Sequence, residues 1–346
     1  MKTPVCASVR LCVCATLFTA PLAAQQPAAA PATLPVIPQP RPMPAYPRMP
    51  APDGFRVFIV PDMEGMASVV ANRDIIAGNE TQASRDRPGS TSPDYWAYYR
   101  DLITREVNAV IAGARRGGAR SFVVNEGHGG NLFANILPWS LDTAALLVRG
   151  WPKPMVMTTG LDSSAGAAIF IGFHAGPRTP GIIAHAYAFD SIMVNGRWLN
   201  ETGVNALVAG EYGVPVVMVS GDNMVVQQAR DQLGESVITV TTKIAVGSSA
   251  GVTWSPAVVR QMLADSAALG IRRAMRGEIR PFRLDKPYQV DLALRPSYAA
   301  NVVAAVDAIQ GFPGLTRTGD RHYHLVTSDA RELARLFDVI EGIVLR

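Results

Sequence analysis

The chain has 346 residues, with 32 Lys or Arg and 28 Asp or Glu, which gives a formal net charge of +4. This small surplus forms no dense basic run, so the composition argues against a nucleic acid as partner. The three cysteines are Cys6, Cys12 and Cys14. A metal bound further along the chain would therefore have to use oxygen and nitrogen ligands.

The first 24 residues have the pattern of a secretory signal. Lys2 and Arg10 precede the apolar stretch LCVCATLFTA, and small residues follow up to Ala24. The apolar stretch is too short to span a bilayer comfortably, which argues against a retained anchor. We therefore expect cleavage near Ala24, a secreted or periplasmic protein, and no membrane partner for the mature form.

Residues 25–52 are so rich in proline that neither a helix nor a sheet can propagate through them. The composition predicts a disordered, polyproline-like tether. Residues 53–346 are then long enough for one large folded unit, or for two lobes with a break near residue 235.

The folded part begins with an alternation of strand-like and helix-like segments. Residues 55–60 form an apolar run that is typical of a buried parallel strand. Ser92 and Pro93 form a helix start, and the helix is expected to run to the pair Gly117-Gly118. Residues 121–125 are the next predicted strand. The β-α-β order predicts a parallel pair of strands.

The middle of the chain continues this pattern. The segment 194–197 (VNGR) predicts a type I′ hairpin, and Asn200 is placed to cap a helix. The remainder of the chain continues as α/β or α+β. Three further apolar runs are predicted strands: 167–174, 181–189 and 214–222. We predict an α/β fold with a mostly parallel sheet flanked by helices and a smaller C-terminal α+β lobe.

Acidic and histidine side chains stand where these strands end or where a helix begins. Because parallel strands end at one edge of a sheet, such residues can converge in space. Carboxylates and imidazoles are ligands of a divalent metal pair, and Asp62 at a strand end could bridge two ions. The candidate residues are Asp62, Glu64, His128, His174, His185 and Glu201.

Each candidate also has an ordinary structural explanation. An acid such as Asp62 can cap a loop, and an acid at a helix N-terminus, such as Glu201, favours the helix dipole without any chemistry. A loop histidine is often solvated, and a buried one such as His174 can simply bond a carbonyl. The residues alone justify only a suspicion of a metal site.

Other catalytic patterns are weaker. His322 and His324 share one face of a late strand, but no glycines or acids stand beside them in sequence, so we interpret them as ordinary strand residues. The letters GxSxG occur at residues 247–251 (GSSAG), but no helix start follows them directly, as a nucleophile elbow requires, and no HExxH pattern is present. Covalent catalysis by serine or cysteine is therefore not expected.

Taken in order, the sequence blocks resemble the DppA-type D-aminopeptidase family from about Phe55 to the C-terminus. The blocks are VPDMEG, VVNEGH, IGFHAGPRTPGIIAHA and NETGVNALVAGEYGVPVVMVSGD. The resemblance implies a dinuclear zinc enzyme with two Zn²⁺ per subunit and His185 in a catalytic role. The implied zinc ligands are Asp62, Glu64, His128, His174 and Glu201.

The resemblance also implies release of N-terminal D-amino acids, such as D-Ala, from short peptides or amides, and assembly into a homo-decamer. The AHA around His185 and the NEGH around His128 depart from the family pattern, which puts substrate preference in question. His185 could transfer a proton or act as nucleophile; we favour proton transfer, since the metals supply a nucleophile. Zinc, manganese and cobalt all accept such ligands.

Two other functions fit the same residues. One is a dinuclear metal amidase or esterase that acts on small acyl substrates. The other is a non-catalytic periplasmic protein that binds D-amino-acid peptides. The presence of His185 beside five metal ligands favours an enzyme, since a binding protein has no need of all six.

Overall fold

The computed structural model describes residues 54–75, 93–309 and 311–344. The predicted signal, the predicted tether and the Ser92 cap lie outside these ranges. All described residues belong to one compact unit, Gln39–Arg346. Within the described ranges, no helix combines the length and apolarity that crossing a membrane requires.

The first sheet has seven strands in the order β3-β2-β1-β4-β7-β8-β9. Neighbouring strands are parallel, except that β8 and β9 form an antiparallel hairpin at one edge. The strands are β1 (Arg56–Pro61), β2 (Ser121–Asn125), β3 (Ala145–Val148), β4 (Ala165–Phe173), β7 (Val216–Asp222), β8 (Ile238–Gly247) and β9 (Ala250–Thr253).

The second sheet has five strands in the order β11-β12-β10-β5-β6, and every neighbouring pair is antiparallel. The strands are β5 (Phe189–Val194), β6 (Arg197–Trp198), β10 (Tyr288–Leu294), β11 (Leu315–Gly319) and β12 (His322–Thr327). Residue 235 does not separate the two sheets, because β5 and β6 precede it while β8 and β9 follow it.

Helices cover both faces of the first sheet. Alternate residues of β1 belong to different cores: Val57 and Ile59 to one, Phe58 and Val60 to the other. A strand buried on both faces is the arrangement of a parallel α/β sheet. The helices are α1 (Pro93–Gly117), α2 (Glu201–Glu211), α3 (Asn223–Leu233), α4 (Pro256–Met275), α5 (Ala300–Asp307) and α6 (Ala330–Val344).

The predicted fold class is confirmed by this architecture. The hairpin prediction is also confirmed: β5 ends at Val194, β6 begins at Arg197, and both turn residues have positive φ. Asn200 caps α2, since its Oδ1 accepts a hydrogen bond from the Gly203 N–H at 3.1 Å.

The prediction of a strand over 181–189 is wrong. Residues 181–188 form an irregular loop, and β5 begins only at Phe189. Ile183 and Tyr187 have φ of 51° and 46°, a left-handed conformation that interrupts extended backbone and is strained for a β-branched side chain such as that of Ile183. A short apolar run alone does not distinguish a buried loop from a strand.

Candidate metal centre

The two acids that follow β1 lie in a loop and turn over residues 62–65. The Met63 N–H donates to Asp62 Oδ1 at 2.9 Å and fixes that carboxylate. The turn lies against the end of β4: a Cβ at Gly65 would be 1.9 Å from the Phe173 carbonyl oxygen. Glycine therefore allows Asp62 and Glu64 to approach the residues that follow β4.

His128 follows β2 and reaches the same point. Its Nδ1 lies 3.1 Å from Glu64 Oε2 and 3.5 Å from Asp62 Oδ1. Its Nε2 lies 2.8 Å from the Ile75 carbonyl oxygen. A Cβ at Gly130 would be 2.5 Å from His128 Nε2, so the glycine next to this loop leaves room for the ring.

His174 follows β4 and faces the other oxygen of Asp62. Its Nε2 is 3.5 Å from Asp62 Oδ2 and 3.5 Å from Glu201 Oε2. Its Nδ1 is 3.1 Å from the Ala175 carbonyl oxygen. Glu201 stands in the first turn of α2, where its Oε1 accepts a hydrogen bond from the Tyr187 N–H at 2.6 Å.

Asp62 therefore belongs to two groups of donor atoms that could each hold a cation. One group is Asp62, Glu64 and His128, and the other is Asp62, His174 and Glu201. Within each group the donor atoms lie within 4.8 Å of one another. A carboxylate that offers one oxygen to each group could serve as the bridging ligand if two ions were bound.

His185 lies beside these groups on the irregular loop. Its ring stacks on His174 with centroids 3.8 Å apart. Its Nε2 lies 4.0 Å from Glu64 Oε1 and 3.9 Å from Glu201 Oε1. It also completes a third possible donor group with Glu64 and His174. The structure thus brings all six predicted residues together; their individual roles stay predictions.

Backbone carbonyls set the tautomers of the three imidazoles. A carbonyl oxygen only accepts hydrogen bonds, so the ring nitrogen that faces it carries the proton and the other nitrogen presents a lone pair. In the neutral form that binds a cation, His128 Nδ1 and His174 Nε2 would present their lone pairs on the side of the acids. His185 Nε2 likewise presents a lone pair in the neutral ring, because His185 Nδ1 lies 2.8 Å from the Ile183 carbonyl oxygen.

The buried charges perturb one another strongly. Burial, and then the charge of Glu64, raises the pKa of Asp62 to about 8. Although burial opposes it, the carboxylate of Glu201 raises the pKa of His174 to about 10. Burial, and then His174, lowers the pKa of His185 to about 4, so this ring is neutral at physiological pH. Buried acids that compete for protons in this way are suited to a cation.

The donor set fits divalent ions. It offers three carboxylates and three imidazoles. The second ring nitrogen of each imidazole faces a backbone carbonyl oxygen, and such a hydrogen bond is the usual support of a metal-binding histidine. The described part of the chain contains no cysteine, so the site is restricted to oxygen and nitrogen ligands.

A buried lysine supports the turn that carries the acids. Lys243 lies in β8, and its Nζ donates to the carbonyl oxygens of Glu64, Met66 and Val69, with 3.0 Å to Met66. The side chain is fully buried. Three acceptors satisfy all three N–H donors of the ammonium group. Lys243 thereby fixes the backbone on both sides of Gly65.

We expect Lys243→Met to destabilise the fold by about 3 kcal/mol and to weaken metal binding by roughly 10-fold or more, because three buried carbonyls lose a charged donor. Urea unfolding and metal titration would measure the two effects. Lys286→Met is the matched control, since Lys286 is partly exposed and pairs with Glu211 at the surface. Equal behaviour of the two variants would contradict the assigned role of Lys243.

The donor groups open into a cavity of about 240 Å³. Part of the cavity lining comes from the last third of the chain: Arg295, Tyr298, Glu341 and Val344. The sequence reasoning identified none of these, nor Lys243 or Tyr187. A lysine inside the β8 run VTTKIAV was the one available signal, because a charge in a buried strand requires partners.

A carboxylate shared between two donor groups at the carboxyl edge of a parallel sheet is the arrangement expected of a dinuclear metal site. The chain belongs to the D-aminopeptidase family, whose model (peptidase family M55) matches residues 55–339. The resemblance stated from the sequence blocks is therefore confirmed.

A sequence match and a solved structure, both from Bacillus subtilis, agree with this membership. A D-aminopeptidase of Bacillus subtilis (strain 168) is 35% identical over 173 residues, which are 49% of this chain and 62% of that protein. The alignment thus spans less than two thirds of the relative. The solved structure of the Zn-dependent D-aminopeptidase DppA from Bacillus subtilis, described as a self-compartmentalizing protease, has a TM-score of 0.72 and 26% identity. The match covers 84% of this chain and 98% of that one.

Proposed function

We propose that this protein is a metal-dependent aminopeptidase that releases N-terminal D-amino acids, such as D-Ala, from short peptides or amides. The observation that carries the proposal is the position of Asp62, whose two carboxylate oxygens face two separate sets of donors. Family membership and the zinc dependence of the structural neighbour support zinc as the metal and D-amino acids as the substrates.

Each of the two donor groups that share Asp62 would bind one divalent ion. Asp62, Glu64 and His128 would hold one ion, and Asp62, His174 and Glu201 the other. Two divalent ions, when bound, supply charge that polarises the scissile carbonyl and acidifies a nearby water. The cavity admits a small peptide and surrounds its reacting end with protein.

His185 is suited to move a proton. Its lone pair on Nε2 faces the cavity, and the hydrogen bond from Nδ1 to Ile183 holds the ring in that orientation. A neutral imidazole there can accept the proton of the attacking water and pass it to the leaving amine. This role suits His185 better than direct attack, because the bound ions would supply a water as the nucleophile.

The test combines metal analysis with turnover. We expect about two divalent ions per chain and hydrolysis of D-Ala-D-Ala and D-Ala amide, with no activity on L,L-dipeptides. A protein with fewer ions would overturn the two-ion centre. Hydrolysis of simple acyl esters without D-peptides would favour an esterase or amidase, and tight peptide binding without turnover would favour a binding protein.

We also propose that the chain forms a homo-oligomer, and specifically a homo-decamer. Apolar side chains are exposed along the β8–β9 hairpin at the sheet edge: Ile244, Val246, Val252 and Trp254. An exposed apolar edge strand is suited to pairing with another chain. The neighbour's description as self-compartmentalizing supports a homo-oligomer, and the number of ten subunits rests on the sequence resemblance. A solution mass equal to one chain would contradict it.

We further propose that the protein is exported, which rests on the sequence pattern of residues 1–24. N-terminal sequencing of protein from cell fractions would test this. A mature chain that begins near residue 25 in the secreted or periplasmic fraction is expected. Full-length protein in the cytoplasm would exclude export.

A further inference from the structure

Arg295 has an unusual position. Among the described residues it is the single lysine or arginine that lines the metal cavity. It also lines an adjoining cavity of about 540 Å³, together with His185 and Glu64. Arg295 therefore lies where the two cavities meet, beside the predicted catalytic histidine, His185.

One hydrogen bond fixes this guanidinium and leaves the rest of it available. Nη2 donates to the Tyr187 carbonyl oxygen, and the N–H of Tyr187 donates to the ligand Glu201. Within the described ranges, no carboxylate comes within ion-pairing distance of Arg295. Arg295 is half-buried and lines both cavities, so its side chain is accessible to a ligand there.

Such a cation matches the chemistry of a carboxylate. A guanidinium presents parallel N–H donors that can bind both oxygens of a carboxylate. In a dipeptide the terminal carboxylate carbon lies within about 4 Å of the scissile carbonyl carbon, whereas each added residue moves it by up to ~3.5 Å. A fixed cation beside the reacting centre therefore recognises a dipeptide better than a longer chain.

We propose that Arg295 binds the free C-terminal carboxylate of the substrate and makes dipeptides the preferred substrate class. This inference rests on the proposed aminopeptidase function and adds a specificity residue to it. The hydrogen bond to Tyr187 fixes the guanidinium relative to Glu201, so the carboxylate subsite and the metal centre keep a constant separation.

The test compares D-Ala-D-Ala with D-Ala-D-Ala amide, in which the carboxylate is capped. The protein is expected to prefer the free acid in kcat/KM by about 10- to 100-fold, the usual contribution of a hydrogen-bonded charge pair. Arg295→Gln should collapse that ratio toward one, mainly by raising KM for the free acid. Arg295→Lys, which keeps the charge but loses the paired donors, should give an intermediate ratio.

Arg178→Gln is the matched control. Arg178 is exposed and bonds the Asp190 backbone, so its loss should leave the ratio as it is in the unaltered protein. Metal content shows whether each variant folds; if Arg295→Gln fails to load metal, the ratio for Arg295→Lys carries the test.

Two results would overturn the proposal. One is equal use of both substrates by the unaltered protein, and the other is an equal loss on both substrates in the Arg295 variants. The second would make Arg295 a support for Tyr187. Absence of D-peptide hydrolysis by protein that holds two metals would instead refute the proposed function itself.

Discussion

Asp62→Asn is expected to lose both metal ions and at least about 10³-fold in activity on D-Ala-D-Ala, the loss expected when metal-assisted catalysis is removed. An asparagine offers one carbonyl oxygen and an NH₂ group, so it cannot present an anionic oxygen to each donor group. Asp62 is the residue that both proposed ion-binding groups share, so its loss should have a larger effect than the loss of Glu201, which belongs to one group. Elemental analysis and steady-state kinetics on the same preparation would measure it.

Two further variants test this expectation. Two donor groups contain Asp62, and Glu201 belongs to the second of them but not to the first. We therefore expect Glu201→Gln to weaken the binding of one ion more than the binding of the other. Asp291→Asn removes an exposed acid of β10 that pairs with His324, and both ions should remain. Retention of two ions by Asp62→Asn would show that the carboxylate does not bridge.

His185→Ala is expected to keep both ions but to lose about 10²- to 10⁴-fold in turnover, the usual contribution of a general acid or base. The reason is the ring's position: its Nε2 lies next to both Glu64 and Glu201, yet neither of the two donor groups proposed to hold the ions contains it. Turnover of D-Ala-D-Ala and metal content would be measured together.

His324→Ala is the control, since this imidazole lies in the second sheet and pairs with Asp291. Near-normal activity of His185→Ala would refute the catalytic role. Loss of an ion would make His185 a sixth ligand, which its place in the third donor group also permits.

Much of the fold could be predicted because local signals agreed with it. The apolar run at 55–60, the stop at Gly117-Gly118 and the cap at Asn200 each reflect chemistry within a few residues. The loop at 181–188 could not be predicted in this way. Its shape depends on partners distant in sequence, such as the Ser248 carbonyl oxygen that accepts the Ile183 N–H at 3.0 Å.

The candidate site was predictable as a set of residues but not as an arrangement. Strand ends suggested that Asp62, His128 and His174 converge, and they do. The sequence could not assign an oxygen of Asp62 to each histidine, because that depends on the turn held by Gly65 and Lys243. Arg295 could not be identified as a site residue from the sequence, since an arginine after a strand has no local feature that sets it apart.

The cavity has walls from two different stretches of the chain. All six predicted site residues lie between positions 62 and 201, whereas Arg295, Tyr298, Glu341 and Val344 come from the last third. The residues proposed for catalysis and those proposed for substrate selection therefore lie in separate parts of the sequence. Substitutions in α6 and in the segment after β10 can change which peptides are accepted while the reacting centre stays intact. Related chains could change their substrate specificity through substitutions near the C-terminus while they keep the residues between positions 62 and 201.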